Sequence, residues 1–107
     1  VCPLRQRGPD AVWPLYQFDA TKTYVNVGFW STVALPDGVD PAAGTVNRRI
    51  ERKVTELGGR KSLYSTSYYD RDEFWSIYGG ETYRTLKQRY DPQHRLLDLY
   101  DKCVRSS

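Results

Sequence analysis

Two glycine pairs, Gly58-Gly59 and Gly79-Gly80, constrain the fold of this chain more than any other feature. Glycine costs roughly 1 kcal/mol against alanine inside a helix, so paired glycines end helices instead of continuing them. Ahead of the first pair, Val46, Ile50, Val54 and Leu57 recur at spacings of four, four and three, which predicts an amphipathic helix ending near Leu57. Two starts are open. Asp40-Pro41 fits an N-cap followed by a first-turn proline, whereas Gly44 favours a start at Thr45. Arg48, Arg49, Glu51, Arg52, Lys53 and Glu56 fill the remaining helix surface and read as a solvated face with i,i+4 pairs. Between the glycine pairs, Asp70-Arg71-Asp72-Glu73 is a capping box that opens a short helix through Phe74, Trp75 and Tyr78. Beyond the second pair a helix is expected over 81–89, with Tyr83, Leu86 and Tyr90 as its apolar side. Asp91-Pro92 then turns the chain into a last helix over 94–104 carrying Leu96, Leu97, Leu99 and Tyr100.

The first third reads as extended chain. Residues 1–5 suggest a short strand in which Pro3 favours an edge, Gly8-Pro9-Asp10 breaks it, and 12–18 is extended around Pro14. The clearest strand is 24–35. Its alternation puts Val25, Val27, Phe29, Val33 and Leu35 on a core face and Tyr24, Asn26, Gly28, Trp30 and Thr32 on the other. A further strand or extended segment is expected over 60–69. Strands mixed with helices and no regular βαβα alternation give the α+β class. We expect a small antiparallel or mixed sheet with one long helix packed on it and short C-terminal helices, ferredoxin-like in style.

Composition excludes several functions. The net charge of +3 comes from interspersed Lys, Arg, Asp and Glu, too mild a bias to indicate nucleic acid, and no apolar stretch reaches membrane-span length. One histidine, His94, and two cysteines without C-x-x-C spacing leave no metal set, and Cys2 and Cys103 read as free thiols. His94 sits at a turn and reads as an exposed or capping residue. There is no dinucleotide fingerprint, no P-loop and no nucleophile elbow. With no Met and a strand-like start at Val1, the chain is expected to be a piece of a longer protein, and a cytoplasmic location is expected.

The 60–69 segment is unusually polar for a strand: Lys61, Tyr64, Ser65, Ser67 and Tyr68 carry groups that need partners if buried. It either faces a ligand or another domain, or is an edge strand wetted by water.

From Gly58-Gly59-Arg60-Lys61-Ser62-Leu63-Tyr64 through Ser67-Tyr68-Tyr69, then Glu73-Phe74-Trp75, Tyr78, Tyr83, Leu86-Lys87, Tyr90-Asp91-Pro92 and Leu99-Tyr100-Asp101-Lys102, the chain resembles the C-terminal end of the vanillyl-alcohol-oxidase-type FAD oxidoreductases. Within them it looks closest to the delta(24)-sterol reductase branch, with Asn47-Arg48-Arg49-Ile50-Glu51 and Val25-Asn26-Val27-Gly28-Phe29-Trp30 also fitting. The resemblance implies a parent with an N-terminal FAD domain, which would be this chain's main partner. Residues 1–69 would then be the end of the substrate (cap) domain and 70–107 a C-terminal helical tail. FAD would be a cofactor of the parent and would not be bound by this chain alone. A small, apolar or sterol-like substrate is implied. Asn26, Trp30, Lys61, Tyr64 and Tyr68 would be the residues facing flavin or substrate, Lys61 supplying positive charge and the aromatics flanking an apolar molecule; no catalytic residue is assigned. Trp30 and Tyr64 read equally well as interdomain packing. Sugar-oxidising relatives carry G-R-P-H-W-G-K where this chain has Gly59-Arg60-Lys61-Ser62-Leu63-Tyr64-Ser65, so a sugar lactone is not expected. The rival readings are a stand-alone binding module and a self-associating structural domain whose aromatic surface pairs copies.

Overall fold

The computed structural model describes residues 1–6, 8, 13–16, 18–28 and 30–105. Pro9, Asp10, Val12 and Phe29, to which the sequence assigned a breaker, a segment start and a core position, lie outside the described residues. The chain divides into two compact units, Val1–Ala34 and Leu35–Ser107. It is α+β: a two-stranded antiparallel sheet belongs to the first unit and the helices to the second.

In the first unit, β1 (Cys2–Leu4) pairs with β2 (Tyr24–Asn26), with Cys2 opposite Asn26, Pro3 opposite Val25 and Leu4 opposite Tyr24. Pro3 has no amide to donate and sits, as expected, in a strand with one neighbour. The aromatic rings of Tyr16, Phe18 and Tyr24 pack in series, with centroids 5.0 and 4.5 Å apart. The Tyr24 hydroxyl closes the turn before its strand by accepting from the Asp19 amide at 2.8 Å. Pairing stops at Asn26, far short of residue 35, because the partner strand is three residues long. Without a second sheet neighbour the predicted core face stays open: Val25, Val27 and Val33 are each more than half exposed.

The second unit opens with both of the helix starts that the sequence left open. Asp40 caps a 3₁₀ turn, Pro41–Ala43, by accepting from the Ala42 amide; then α1 (Thr45–Glu56) begins after Gly44. Gly44 has φ 61°, and a Cβ there would lie 2.0 Å from Cε1 of Tyr68, so both the conformation and the close approach demand glycine. At the other end the Gly58 amide donates to Thr55 and the Gly59 amide to Val54, the paired closure of a Schellman motif, with Gly58 at φ 72°. Next come α2 (Arg71–Ile77) and α3 (Gly80–Tyr90). Asp70 caps α2 by accepting from the Glu73 amide at 2.8 Å. The capping box is only half formed, because the Glu73 carboxylate reaches across to Arg48.

The core of this unit is aromatic. Phe74, Tyr78, Tyr69 and Tyr100 are its buried hydrophobic residues, and Phe74 sits between Tyr78 at 4.8 Å and Tyr100 at 5.3 Å between ring centroids. Trp75 stacks on Tyr83 at 4.6 Å and joins α2 to α3. Buried tyrosines need hydroxyl partners, and two of these find irregular backbone: Tyr78 donates to the Lys61 carbonyl at 2.6 Å and Tyr100 to the Tyr69 carbonyl at 3.3 Å. The predicted 94–104 helix is corrected. Helical geometry starts only at Leu99 and ends in a π-helical turn, Asp101–Arg105. The cause is Asp91. Its carboxylate accepts from the Lys87 ammonium at 2.6 Å and from the amides of Arg95 and Leu96, folding 92–96 into a capped loop in which the exposed His94 takes φ 50°. Among the described residues, no helix is long and apolar enough to cross a membrane.

Replacing Gly44 by Ala should destabilise the second unit by about 2–4 kcal/mol in chemical denaturation, from left-handed strain plus overpacking against Tyr68. Lys87, then the Leu96 and Arg95 amides, hold the Asp91 carboxyl down at about 2, against 3.8 for an unperturbed group. A depressed carboxyl contributes stability that is full above its unfolded pKa and lost as pH falls through its folded one. Denaturation midpoints should therefore fall between about pH 4 and pH 2 in the parent chain, and this Asp91 component should vanish in Asp91→Asn.

Candidate functional site

The segment 60–69 holds three of the five predicted site residues, and it is a loop, not a strand. Strand backbone needs a neighbour's hydrogen bonds, and here side chains and the C-terminal turn replace them. The Ser67 amide donates to the Cys103 carbonyl at 3.0 Å. The Tyr68 amide donates to both carboxylate oxygens of Glu51 at 3.1 Å. The Lys61 ammonium donates to the Thr66 carbonyl and to Glu51 Oε1, the latter at 2.8 Å. The Arg60 guanidinium donates to the Ile77 carbonyl.

Glu51 is therefore no part of a solvated face. At 2 % exposure it is the buried residue of α1, and the expectation from the sequence is corrected. Its helix neighbour Arg48 lies 3.8 Å from Oε2 and also pairs with Glu73, while its guanidinium sits 5.4 Å from the Tyr69 ring centroid. Two carboxylates, Glu51 and Glu73, thus meet two cations, Arg48 and Lys61, in a locally neutral cluster. The hydrogen bond to Glu73 raises the Arg48 pKa, outweighing burial, so the arginine stays charged throughout. A buried ion pair persists only when its remaining lone pairs and protons are satisfied. The Tyr68 amide and Thr66 carbonyl meet that need, and in doing so they tie the loop to the helix.

Of the predicted residues, Lys61 and Tyr68 converge on Glu51. The Lys61 side chain is about one-fifth exposed (19 %), with its ammonium turned inward onto Glu51 and Thr66, and the Tyr68 ring lies over Gly44. Tyr64 is different: it stands at the loop's outer turn with 89 % of its surface exposed. Asn26 and Trp30 belong to the other unit, where both are exposed, Trp30 at 92 %. Sequence reasoning missed Glu51, Arg48 and Glu73. The legible signal was a carboxylate directly after Ile50 of the apolar stripe, with a lysine two residues beyond the glycine stop to meet it.

The arrangement braces a loop and offers no nucleophile. Burial pushes the Cys103 thiol up, against the weaker pull of Lys102 and Lys61, so it stays protonated; both cysteines are free. Among the described residues, no cluster of His, Cys, Asp and Glu could hold a metal ion. The starts of the three α-helices among the described residues do not present the open, uncharged first turn that favours an anion. Gly44, at the start of α1, lies under the Tyr68 ring, the first turn of α2 carries Asp72 and Glu73 after the Asp70 cap, and that of α3 carries Glu81.

Comparison with curated proteins finds the whole chain similar to delta(24)-sterol reductases. Identity is 30 % to the Homo sapiens protein and 27 % to that of Rattus norvegicus, each over 108 aligned positions covering 100 % of this chain. The chain spans 20 % of the length of these relatives. No family model matches the chain, and no solved structure matches it significantly.

Glu51→Ala should cost about 3 kcal/mol in denaturation, the low end for an orphaned buried charge, because Lys61 keeps some water. The paired replacement Glu51→Leu with Lys61→Met should recover most of that loss; a double-mutant cycle on unfolding free energy measures the difference.

Proposed function

We propose that this chain is the C-terminal part of an FAD-dependent oxidoreductase related to the delta(24)-sterol reductases, supplying substrate-pocket and flavin-covering surface to an active site completed elsewhere in the protein. The observation that carries the reading is the similarity, continuous over the whole chain, to reductases five times its length. The resemblance in the closing segments, from Arg60 to Lys102, points to the same family. In this reading residues 1–69 end the cap domain and 70–107 form the tail, and the main partner is the FAD domain of the same polypeptide.

Among the described residues no group of His, Cys, Asp and Glu could hold a metal ion, and the first turns of α2 and α3 carry carboxylates that repel an anion, which supports placing the flavin's phosphates on the other domain. Each unit presents exposed aromatic area of its own, Trp30 in the first, where Asn26 is also exposed, and Tyr64 in the second. Large rigid rings of this kind suit the walls of an apolar pocket and a contact with a flat ring system. The substrate class is an apolar, sterol-like molecule with a reducible carbon–carbon double bond. The flavin supplies the hydride chemistry, and the residues of this chain hold and orient the substrate. Lys61 contributes by keeping the Tyr64 loop in shape, its ammonium being engaged by Glu51 and Thr66.

Visible absorbance after gel filtration tests the reading. The intact gene product, expressed with flavin available, should carry a flavin spectrum, and this chain alone should be colourless. A colourless intact protein would overturn the assignment.

A further inference from the structure

The cluster around Glu51 has a consequence for the proposed site, and the inference rests on that functional reading. The loop between Lys61 and Ser67 is held at its base by three attachments: Lys61 bridges Glu51 and the Thr66 carbonyl, the Ser67 amide bonds to Cys103, and the Tyr68 amide bonds to Glu51. At its outer turn Ser62, Tyr64 and Ser65 are exposed. An exposed tyrosine contributes binding only if the chain beneath it is already ordered, since ordering a loop on binding costs free energy that the contact must offset.

We propose that Glu51 is a positioning residue: acting through Lys61, it fixes the shape of the 62–66 loop and so the place of Tyr64 against an apolar substrate. Glu51 itself is buried and touches no substrate. Its role is carried by one ammonium shared between a carboxylate on α1 and a carbonyl at the far end of the loop, which closes the loop as a clasp would. Removing the charge on either partner opens the clasp while leaving the aromatic core in place. Arg48 and the Tyr68 amide still face residue 51 when Lys61 is lost, so Lys61→Met is the milder of the two variants.

The test uses the intact protein with Glu51→Gln, Lys61→Met and Tyr64→Ala. Chymotrypsin cleavage at the Tyr64–Ser65 bond, followed by mass, reads the loop. Cleavage at Phe74–Trp75, between a fully buried core residue and its neighbour, reads unfolding of the same unit. Glu51→Gln and Lys61→Met should each raise cleavage at 64–65 by about tenfold without a matching rise at 74–75. Both should also raise KM for a sterol unsaturated at C24 by about fivefold with kcat little changed, as Tyr64→Ala should do directly. If Glu51→Gln also opens the 74–75 bond it has unfolded, and Lys61→Met decides. Unchanged cleavage at 64–65 in Lys61→Met overturns the proposal whatever the kinetics. An open loop together with normal KM in Tyr64→Ala instead overturns the reading of this surface as a substrate wall, and the positioning role with it.

Discussion

The buried carboxylate of Glu51 is the interaction on which the second unit depends. A charged group at 2 % exposure is tolerable only where its lone pairs have partners, and three groups supply them: Arg48 from its own helix, and Lys61 and the Tyr68 amide from the two ends of the loop. The requirement works in both directions. The carboxylate cannot stay buried without the loop, and the loop, which has no strand to pair with, cannot hold its shape without the carboxylate. A polar segment thereby enters the interior without forming a sheet.

The aromatic cluster works with it. Phe74, Tyr78, Tyr69 and Tyr100 give a small unit large buried area from few residues, and their geometry is tilted or edge-on, as the quadrupoles of the rings prefer. Two of their hydroxyls bond to the carbonyls of Lys61 and Tyr69, at the two ends of the same loop. Apolar packing and the ion cluster therefore converge on one stretch of backbone. Further helix contacts, among them Trp75 on Tyr83 and Arg71 with Asp98, Asp101 and the Tyr100 ring, attach α3 and the C-terminal turn to this centre.

The parts that were legible in the sequence are those set by local chemistry. Gly58-Gly59 ended α1, Asp70 capped α2, Gly79-Gly80 separated α2 from α3, and Pro3 marked an edge strand, because each acts within a few residues of itself. Where the reading departed from the structure, a distant side chain had displaced a local preference. Alternation over 24–35 predicted a long strand, but alternation cannot report that the partner has only three residues to offer. Leu96, Leu97 and Leu99 suggested helix, yet Asp91 collects the amides of Arg95 and Leu96 and holds that stretch as a loop. Glu51 looked like one more charge on a charged helix, and only its meeting with Lys61, ten residues away, makes it interior. Of the candidate site, Lys61 and Tyr68 were singled out for being odd in a strand, and the oddity was real, although both are occupied in holding the loop together.

The division of labour inside that loop bears on how such a protein can diversify. The contacts that define its shape are made by Arg60, Lys61, Thr66, Ser67 and Tyr68, through two side chains and several backbone groups. Ser62, Tyr64 and Ser65 at the turn make none of them. Identity at these outer positions is therefore uncoupled from folding, and residues there can be exchanged while the frame underneath is kept. Natural variation can act on such a stretch as on an interchangeable fingertip, changing what the surface touches while the hand that carries it stays the same.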